Sequence, residues 1–195
     1  MIHKRKGMAM KRALWIALAV AVAIITLGTP AQAAPPPGYP PHGAVYSLQN
    51  VASGLCLDVA NGWTHDGAPI QQWHCYGGPP VKWRFEHVGY WYQWPAYQVV
   101  NTSSQRCLDV PGGNLSTPPG TLLQQWGCWG GDMQRWVMVR NPDNTYKLLP
   151  QSSEPSGPNG PIGLCMDNKD WSPHPGTRVQ VWSCWNAAVQ NWRLI

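Results

Sequence analysis

The chain has 195 residues, including 13 Trp, 20 Pro and 20 Gly but only one Phe. Its formal charge of +5 comes from 14 Lys and Arg residues against 9 Asp and Glu residues, and five of the basic residues fall within the first 12 positions. Beyond residue 33 the chain carries nine charges of each sign, which excludes the concentrated basic surface of a nucleic-acid-binding protein.

The first 33 residues have the organisation of a secretory signal peptide. A basic start precedes an apolar run over residues 13–27, and Ala31 and Ala33 are the small residues that a signal peptidase reads. The alternative is a membrane anchor, but a bilayer needs about 20 apolar residues and this run is shorter. We therefore predict a cleaved signal over residues 1–33, a secreted, extracellular protein and no membrane span after cleavage.

Residues 34–44 are dominated by proline and glycine. Proline-rich segments favour an extended conformation and contribute few apolar side chains to a core. We therefore predict a disordered linker over residues 34–44. The rest of the chain, residues 45–195, has a length that suits a single domain.

Three segments of this domain repeat the same motifs in the same order. Each contains Cys-Leu-Asp or Cys-Met-Asp, then Gln-x-Trp-x-Cys, and closes with a Trp eight residues after the second Cys. The closing tryptophans, which we expect in the core, are Trp83, Trp136 and Trp192. Internal repetition of this kind indicates an architecture of three equivalent units.

All six cysteines lie in the repeats, two in each unit. Six cysteines allow 15 pairings, and repetition favours the one that treats the three units alike. The predicted disulfides are Cys56–Cys75, Cys107–Cys128 and Cys165–Cys184, as suits an oxidising compartment. Metal ligation is the alternative, but the sequence has neither a C-x-x-C pair nor clustered histidines. We predict no metal and no cofactor.

The repeats indicate an all-β fold, because their segments are short, rich in Val, Leu, Trp and Tyr, and separated by turn residues. Alternate side chains of a strand share one face. Suppose that the two cysteines of the first unit are cross-strand neighbours, at a distance that suits a disulfide. Asp58 then lies opposite Trp73, on the face that also carries Gln71. Leu57 and Val59 point away from this face, towards the core.

Each unit thereby gathers a carboxylate, an amide and an indole, which together suit a sugar. An indole packs on the apolar face of a pyranose, an ionised Asp accepts hydrogen bonds from hydroxyls, and Gln both donates and accepts. The predicted carbohydrate-binding residues are Asp58, Gln71 and Trp73, then Asp109, Gln124 and Trp126, then Asp167, Gln180 and Trp182. Three shallow sites on one body would bind a polymeric glycan with avidity.

Other interpretations of these residues stay open. The Asp can serve as a turn former, and the Trp of the Gln-x-Trp-x-Cys motif can be buried in the core. Trp63 and Trp171 follow the Asp of the first and third units in loops. There they either extend those two sites or play no part in them.

The repeated motifs resemble the ricin B-type lectin domain, a carbohydrate-binding module also found on xylanases. The resemblance implies a β-trefoil of twelve strands in three pseudo-symmetric units, and ligands of the galactose or xylan type. It adds Gln134 and Gln190 to the predicted site, as glutamines that orient the nearby Asp.

The chain departs from the family pattern at two places. The first unit has Val81 where the orienting glutamine belongs. The family often carries a ligand-contacting Asn just before that glutamine, and the residues here are Pro80, Met133 and Val189. We therefore expect the second and third units to bind better than the first.

Catalysis is disfavoured by the repetition itself. A glycosidase needs two carboxylates across one cleft, and a hydrolase triad needs a unique nucleophile, base and orienting group. Here one acid recurs in each unit. We predict a monomeric, non-enzymatic carbohydrate-binding protein. The alternative is a β-trefoil that has lost sugar binding and serves as a protein-binding or inhibitory scaffold.

Overall fold

The structure, a computed structural model, describes residues 33–112, 117–153 and 163–195. The predicted signal peptide lies outside these ranges apart from Ala33. None of the helical turns in these ranges has the length and hydropathy that a membrane-spanning helix requires.

The described ranges are built from strands and short 3-10 turns. The strands are β1 (Ala44–Tyr46), β2 (Leu48–Asn50), β3 (Cys56–Val59), β4 (Ile70–Trp73), β5 (Trp83–Trp91), β6 (Trp94–Asn101), β7 (Cys107–Asp109), β8 (Gln124–Trp126), β9 (Trp136–Arg140), β10 (Tyr146–Pro150), β11 (Leu164–Asn168), β12 (Val179–Ser183) and β13 (Trp192–Leu194). The 3-10 turns are Ala60–Gly62, Pro79–Val81, Gln151–Ser153, Lys169–Trp171 and Ala188–Gln190. The strand beyond the twelve of a trefoil arises at Ser47, where the first strand changes partner from β5 to β13.

The outer strands of each unit close a barrel. Its antiparallel order is β1, β5, β6, β9, β10, β13 and back to β2, which continues β1 along the chain. The two middle strands of each unit form a hairpin: β3–β4, β7–β8 and β11–β12. All three hairpins leave from the same end of the barrel, which we call the cap end. This arrangement is a β-trefoil, so the predicted fold class is confirmed.

The closing tryptophan of each repeat joins its hairpin to the barrel. All three are fully buried in the core, as predicted. Their indole N–H groups donate to the carbonyl oxygen of the residue before the repeat Asp: Trp83 to Leu57 at 3.0 Å, Trp136 to Leu108 at 2.9 Å and Trp192 to Met166 at 3.2 Å. Because a buried N–H needs an acceptor, each indole holds one hairpin strand at a set height above the barrel.

The predicted disulfides are confirmed, one in each repeat. The Cα–Cα distances are 5.2 Å for Cys56–Cys75, 5.1 Å for Cys107–Cys128 and 5.0 Å for Cys165–Cys184. These distances lie within the usual range for the bond.

Residues 34–43 differ from the expected disordered linker, because they lie against the barrel end opposite the hairpins. We call this segment the strap. Tyr39 packs against the core. Three tyrosine hydroxyls donate to strap carbonyls: Tyr90 to Ala34 at 2.6 Å, Tyr97 to Pro40 at 2.9 Å, and Tyr146 to Gly38. The strap lies in a set position because the backbone carbonyls of an extended segment remain available as acceptors for tyrosine hydroxyls of the barrel.

Candidate functional site

The strand register at the cap end places the repeat Asp opposite Gln. In the first hairpin Asp58 pairs with Gln71, and Cys56 pairs with Trp73. The expected pairing of Asp58 with Trp73 is therefore wrong by two residues. The reason is that Cys75 lies beyond the end of β4, so the disulfide forms outside the ladder. A slip of two residues preserves the face of every side chain, so the set of residues on that face is as expected.

The same register recurs in the other hairpins and brings the amide onto the carboxylate. Asp109 pairs with Gln124, and Asp167 pairs with Gln180. The Gln side chains donate to the Asp side chains in all three units: Gln71 to Asp58 at 2.9 Å, Gln124 to Asp109 at 2.7 Å and Gln180 to Asp167 at 2.9 Å. Directly opposite residues of an antiparallel pair are neighbours on one face, which makes this bond a local consequence of register.

A second amide orients the carboxylate in the second and third units. Gln134 Nε2 donates to Asp109 at 3.1 Å, and Gln190 Nε2 donates to Asp167 at 3.0 Å. Both glutamines are fully buried. Their Oε1 atoms accept from the backbone N–H of Trp129 and Trp185, each at 2.9 Å. Gln134 and Gln190 therefore act through their Asp, as positioning residues.

The first unit replaces this glutamine by a tyrosine at a different position. Val81, at the place of the missing amide, is buried. The Tyr76 hydroxyl instead donates to the free oxygen of Asp58 at 3.4 Å. Tyr76 follows the second Cys, where the other units have Trp129 and Trp185. The sequence could have indicated this role, because among the three aromatic residues that follow the second Cys only Tyr76 carries a hydroxyl that can donate to the Asp.

The three carboxylates lie at the floor of their sites. Side chains of Asp58, Asp109 and Asp167 are buried. Burial raises the pKa of each carboxyl, and the hydrogen bonds from the neighbouring side chains act in the opposite direction. The charges of Asp66 and Asp170 further raise the pKa of Asp109 and Asp167 respectively. Each site thus holds a carboxylate that can accept hydrogen bonds and is largely shielded from bulk water.

The indoles of the Gln-x-Trp-x-Cys motifs are exposed, so burial in the core, the other interpretation, is wrong. Their exposed fractions are 40% for Trp73, 43% for Trp126 and 44% for Trp182. Each indole lies against a positive-φ glycine of the neighbouring unit. A β-carbon on that glycine would approach the indole Cζ3 to 3.7 Å (Gly176 and Trp73), 3.8 Å (Gly67 and Trp126) or 3.3 Å (Gly120 and Trp182). Each site therefore borders two units.

Glutamines in the middle of the hairpin strands hold these neighbouring loops in two of the three units. Gln72 Nε2 donates to the carbonyls of Ser172 and His174, at 2.7 and 2.9 Å. Gln125 Nε2 donates to the carbonyls of Trp63 and His65, at 2.8 and 3.1 Å. The third unit has the buried Val181 at this position. The repeat motifs do not mark these glutamines, because their partners belong to another unit.

A shallow depression contains the Asp, Gln and Trp of each unit. The volumes are about 260 Å³ in the first unit, 220 Å³ in the second and 170 Å³ in the third. The first is completed by Asn61, Gly62 and Tyr76, the second by Val110, Gly112, Trp129 and Met133, and the third by Asp170 and Trp171. Met133, a buried residue of the core, thus borders the second depression at the position where the family often has an Asn.

The two loop tryptophans have different surroundings. Trp171 lines the depression of the third unit and is 60% exposed. Trp63 is not among the residues that line the first depression, and its ring lies 5.3 Å from that of His65. Trp171 therefore borders the depression of its unit, whereas Trp63 does not.

A separate cavity lies at the strap. It has a volume of about 710 Å³ and is lined mainly by strap residues, together with His87. Burial lowers the pKa of His87, and its Nε2 has no hydrogen-bond partner among the described residues. This cavity contains none of the predicted site residues. The described ranges hold no group of three or more His, Cys, Asp or Glu side chains placed to bind a metal.

Comparisons with known proteins agree with this architecture. A family model described as "Ricin-type beta-trefoil lectin domain-like" matches residues 38–93 and 89–156, which is more than half of the chain. The chain is similar to the designed 3-fold symmetric protein ThreeFoil, with 33% identity and a TM-score of 0.68, over 77% of this chain and 97% of that one.

Two natural proteins are also similar. An exo-beta-1,3-galactanase from Clostridium thermocellum is 30% identical with a TM-score of 0.68, over 80% of this chain but only 31% of the galactanase. The Macrolepiota procera ricin B-like lectin, solved in complex with lactose, is 21% identical with a TM-score of 0.61, over 78% of this chain and 95% of the lectin. At that identity the lectin supports the fold alone.

Proposed function

The chain belongs to the ricin-type β-trefoil lectin domain-like family, and from this premise we propose that it is a secreted, monomeric module that binds galactose- or xylan-type glycans without catalysis. Binding is assigned to the three Asp–Gln–Trp sets at the cap end. The single observation that carries the proposal is their repetition: three times, a held carboxylate lies beside an exposed indole.

The chemistry of one set supports sugar recognition. The buried Asp accepts hydrogen bonds from its Gln, and its remaining acceptor capacity can take ligand hydroxyls, in bonds stronger than neutral ones. The exposed indole offers a flat apolar surface to the C–H face of a pyranose. Because donor glutamines hold the carboxylate in place, little conformational entropy is lost on binding.

The shallowness of the sites supports a polymeric ligand. Depressions of about 170 to 260 Å³ enclose only part of an oligosaccharide, which implies weak binding at each one. Three such sites on one body raise the effective concentration of a glycan chain at the second and third sites. The galactanase neighbour is matched over 31% of its length, so its activity carries no weight for this chain.

One observation favours the second candidate, a trefoil scaffold that has lost sugar binding. The residues before the orienting position, Pro80, Met133 and Val189, offer no side-chain donor to a hydroxyl. Met133 moreover places an apolar group in the second depression. A protein partner would then use the exposed indoles as its contact surface.

Affinity chromatography tests the proposal. We expect the purified secreted protein to be retained on immobilised lactose or xylan, and the combined Asp109→Ala and Asp167→Ala variant to lose retention. The matched control is Asp143→Ala, which removes an exposed carboxylate at the other barrel end and should leave retention intact. Thermal unfolding of each variant separates lost binding from lost folding.

Two outcomes would contradict the proposal in different ways. Unchanged retention of the double variant would refute the assignment of the site residues. Failure of the unmodified protein to bind any glycan on a broad array would refute carbohydrate binding and favour the scaffold.

A further inference from the structure

The third unit carries a bulky residue at a backbone position that favours glycine. Trp171 is the fourth residue after its Asp, where the first and second units have Gly62 and Gly113. Its φ is +58°, close to the +62° of Gly62. A side chain in this left-handed region costs about 1 kcal/mol or more. A bulky, strained residue that also lines a depression is a candidate for a function in binding.

Trp171 forms an exposed aromatic pair with Trp185. Their ring centroids lie 4.5 Å apart, and their planes are tilted by 49°. Both indoles remain open to solvent, with exposed fractions of 60% and 40%. We call these two residues the tryptophan pair. Since Trp171 also lines the depression that contains Trp182, the pair extends the apolar surface of the site beyond its edge.

Polar groups accompany the pair at the edge of the depression. Asp170 lines the depression, and its carboxylate accepts from Lys169 Nζ at 2.5 Å. The Asp170 side chain is 76% exposed, so both charged groups are reachable by hydroxyls outside the depression. Together with the pair they supply the two contact types, stacking and hydrogen bonding, that a second sugar requires.

The first unit lacks the loop tryptophan and the exposed acid of this extension. Asn61 and Gly62 stand in place of Asp170 and Trp171. Tyr76, at the position of Trp185, uses its hydroxyl on the carboxylate of Asp58 at 3.4 Å. The contrast distinguishes the third unit from the first.

We propose that the third unit binds at least two consecutive sugars of a glycan chain, one stacked on Trp182 and the next on the tryptophan pair. This inference rests on the proposed function, since it assigns a longer ligand to one of the same sites. Trp171 is thereby a specificity-determining residue that selects chains over single sugars.

The test isolates the third site in the variant Asp58→Ala and Asp109→Ala, which removes the carboxylate from the other two sites. Calorimetric titration with xylose, xylotetraose, galactose and β-1,3-linked galactotetraose yields the ratio of tetrasaccharide to monosaccharide affinity. In this background we expect Trp171→Gly to lower the ratio roughly tenfold, the loss of one stacking platform. Trp171→Tyr should restore most of it.

The matched control is Trp63→Ala, which removes another exposed loop tryptophan, one that does not line the depression of its unit. It should leave the ratio unchanged. Glycine relieves the positive-φ strain at position 171, so the thermal midpoint of Trp171→Gly should equal or exceed that of the background variant. A lower ratio then cannot be attributed to unfolding.

The result that overturns the inference is an unchanged ratio in Trp171→Gly while the background variant still binds one of the sugars. That result would leave the proposed function intact. Absence of binding by the unmodified protein to all four sugars would instead overturn both proposals together.

Discussion

The two ends of the barrel are built on different principles. At the cap end, three copies of one arrangement recur: a disulfide, an Asp held by Gln, an exposed indole and a buried indole below it. At the opposite end, nothing in the described ranges repeats in this way. The strap closes that end through Tyr39 and through hydroxyl-to-carbonyl bonds from single tyrosines such as Tyr97.

This difference separates two contributions to the fold: packing between the repeats at the cap end, and closure of the barrel by the strap at the opposite end. The repeats need one another, because the loop of each unit packs on the indole of the next. The strap contacts the barrel from outside the repeat pattern, so it can contribute to stability without altering the sites. Substitutions at the two ends should therefore act independently, since distant sites without shared partners give additive effects.

The largest effect is expected at the cap end, from removal of a covalent link. Cys107→Ala combined with Cys128→Ala frees a loop whose cysteines are separated by 21 residues, which should lower the free energy of unfolding by about 3 kcal/mol. Urea unfolding of the variant and of the unmodified protein measures the change. A decrease below about 1 kcal/mol in the free energy of unfolding would mean that the buried indoles alone hold the hairpin. The disulfide would then not be a feature that distinguishes the stability of the cap end from that of the opposite end.

The next effect distinguishes two tryptophans ten residues apart. Trp136→Phe removes a buried N–H donor from the Leu108 carbonyl and leaves a void, which should cost about 2 to 3 kcal/mol. Trp126→Phe changes an exposed indole and should cost less than about 0.5 kcal/mol. Unfolding curves check stability, and glycan retention should weaken only in Trp126→Phe. Equal destabilisation by the two substitutions would contradict the assigned roles.

A smaller effect is expected at the opposite end. Tyr97→Phe removes the donor to the Pro40 carbonyl from a fully buried side chain, which should cost about 1 to 2 kcal/mol. Tyr92→Phe, at an exposed position of the same end, is the control and should be neutral. Glycan retention should be unchanged in both. Weakened retention in Tyr97→Phe would show that the two ends are coupled.

The smallest effect is a pH dependence with opposite signs for folding and binding. The folded-state pKa values of Asp58, Asp109 and Asp167 are raised above their ordinary value of 3.8. A raised pKa means that the folded state binds more protons, so these groups favour folding at low pH, and this contribution is lost as pH rises through the folded pKa. Ligand binding needs the ionised carboxylate and should be lost as pH falls through that same range.

Two titrations measure this dependence, one of urea midpoints and one of glycan affinity between pH 3 and pH 7. Removal of the three carboxylates should abolish their pH-dependent contribution to the free energy of unfolding between pH 3 and pH 7. If affinity instead rises on acidification, the ionised carboxylate is not the acceptor for the sugar.

The sequence by itself determined the features that depend on covalent order and short-range alternation. Repetition of one motif order, with Cys-to-Cys separations of 19, 21 and 19 residues, predicted the three disulfides, and the two-residue period of a strand predicted which side chains share the site face. The repeat also placed Trp136 in the core, as the residue that closes its unit, whereas the exposure of Trp126 was left open by the sequence and decided by the structure.

Only the tertiary structure decided the features that depend on contacts between distant residues. The register of Asp58 with Gln71 was open, since a slip of two residues leaves the alternation unchanged. The use of Tyr76 in place of the missing glutamine, the docking of the strap and the position of Trp171 beside Trp185 each join segments that no local pattern relates. Alternation within a strand has a fixed period, whereas the partner of a loop or of a proline carbonyl is set by how the whole barrel closes.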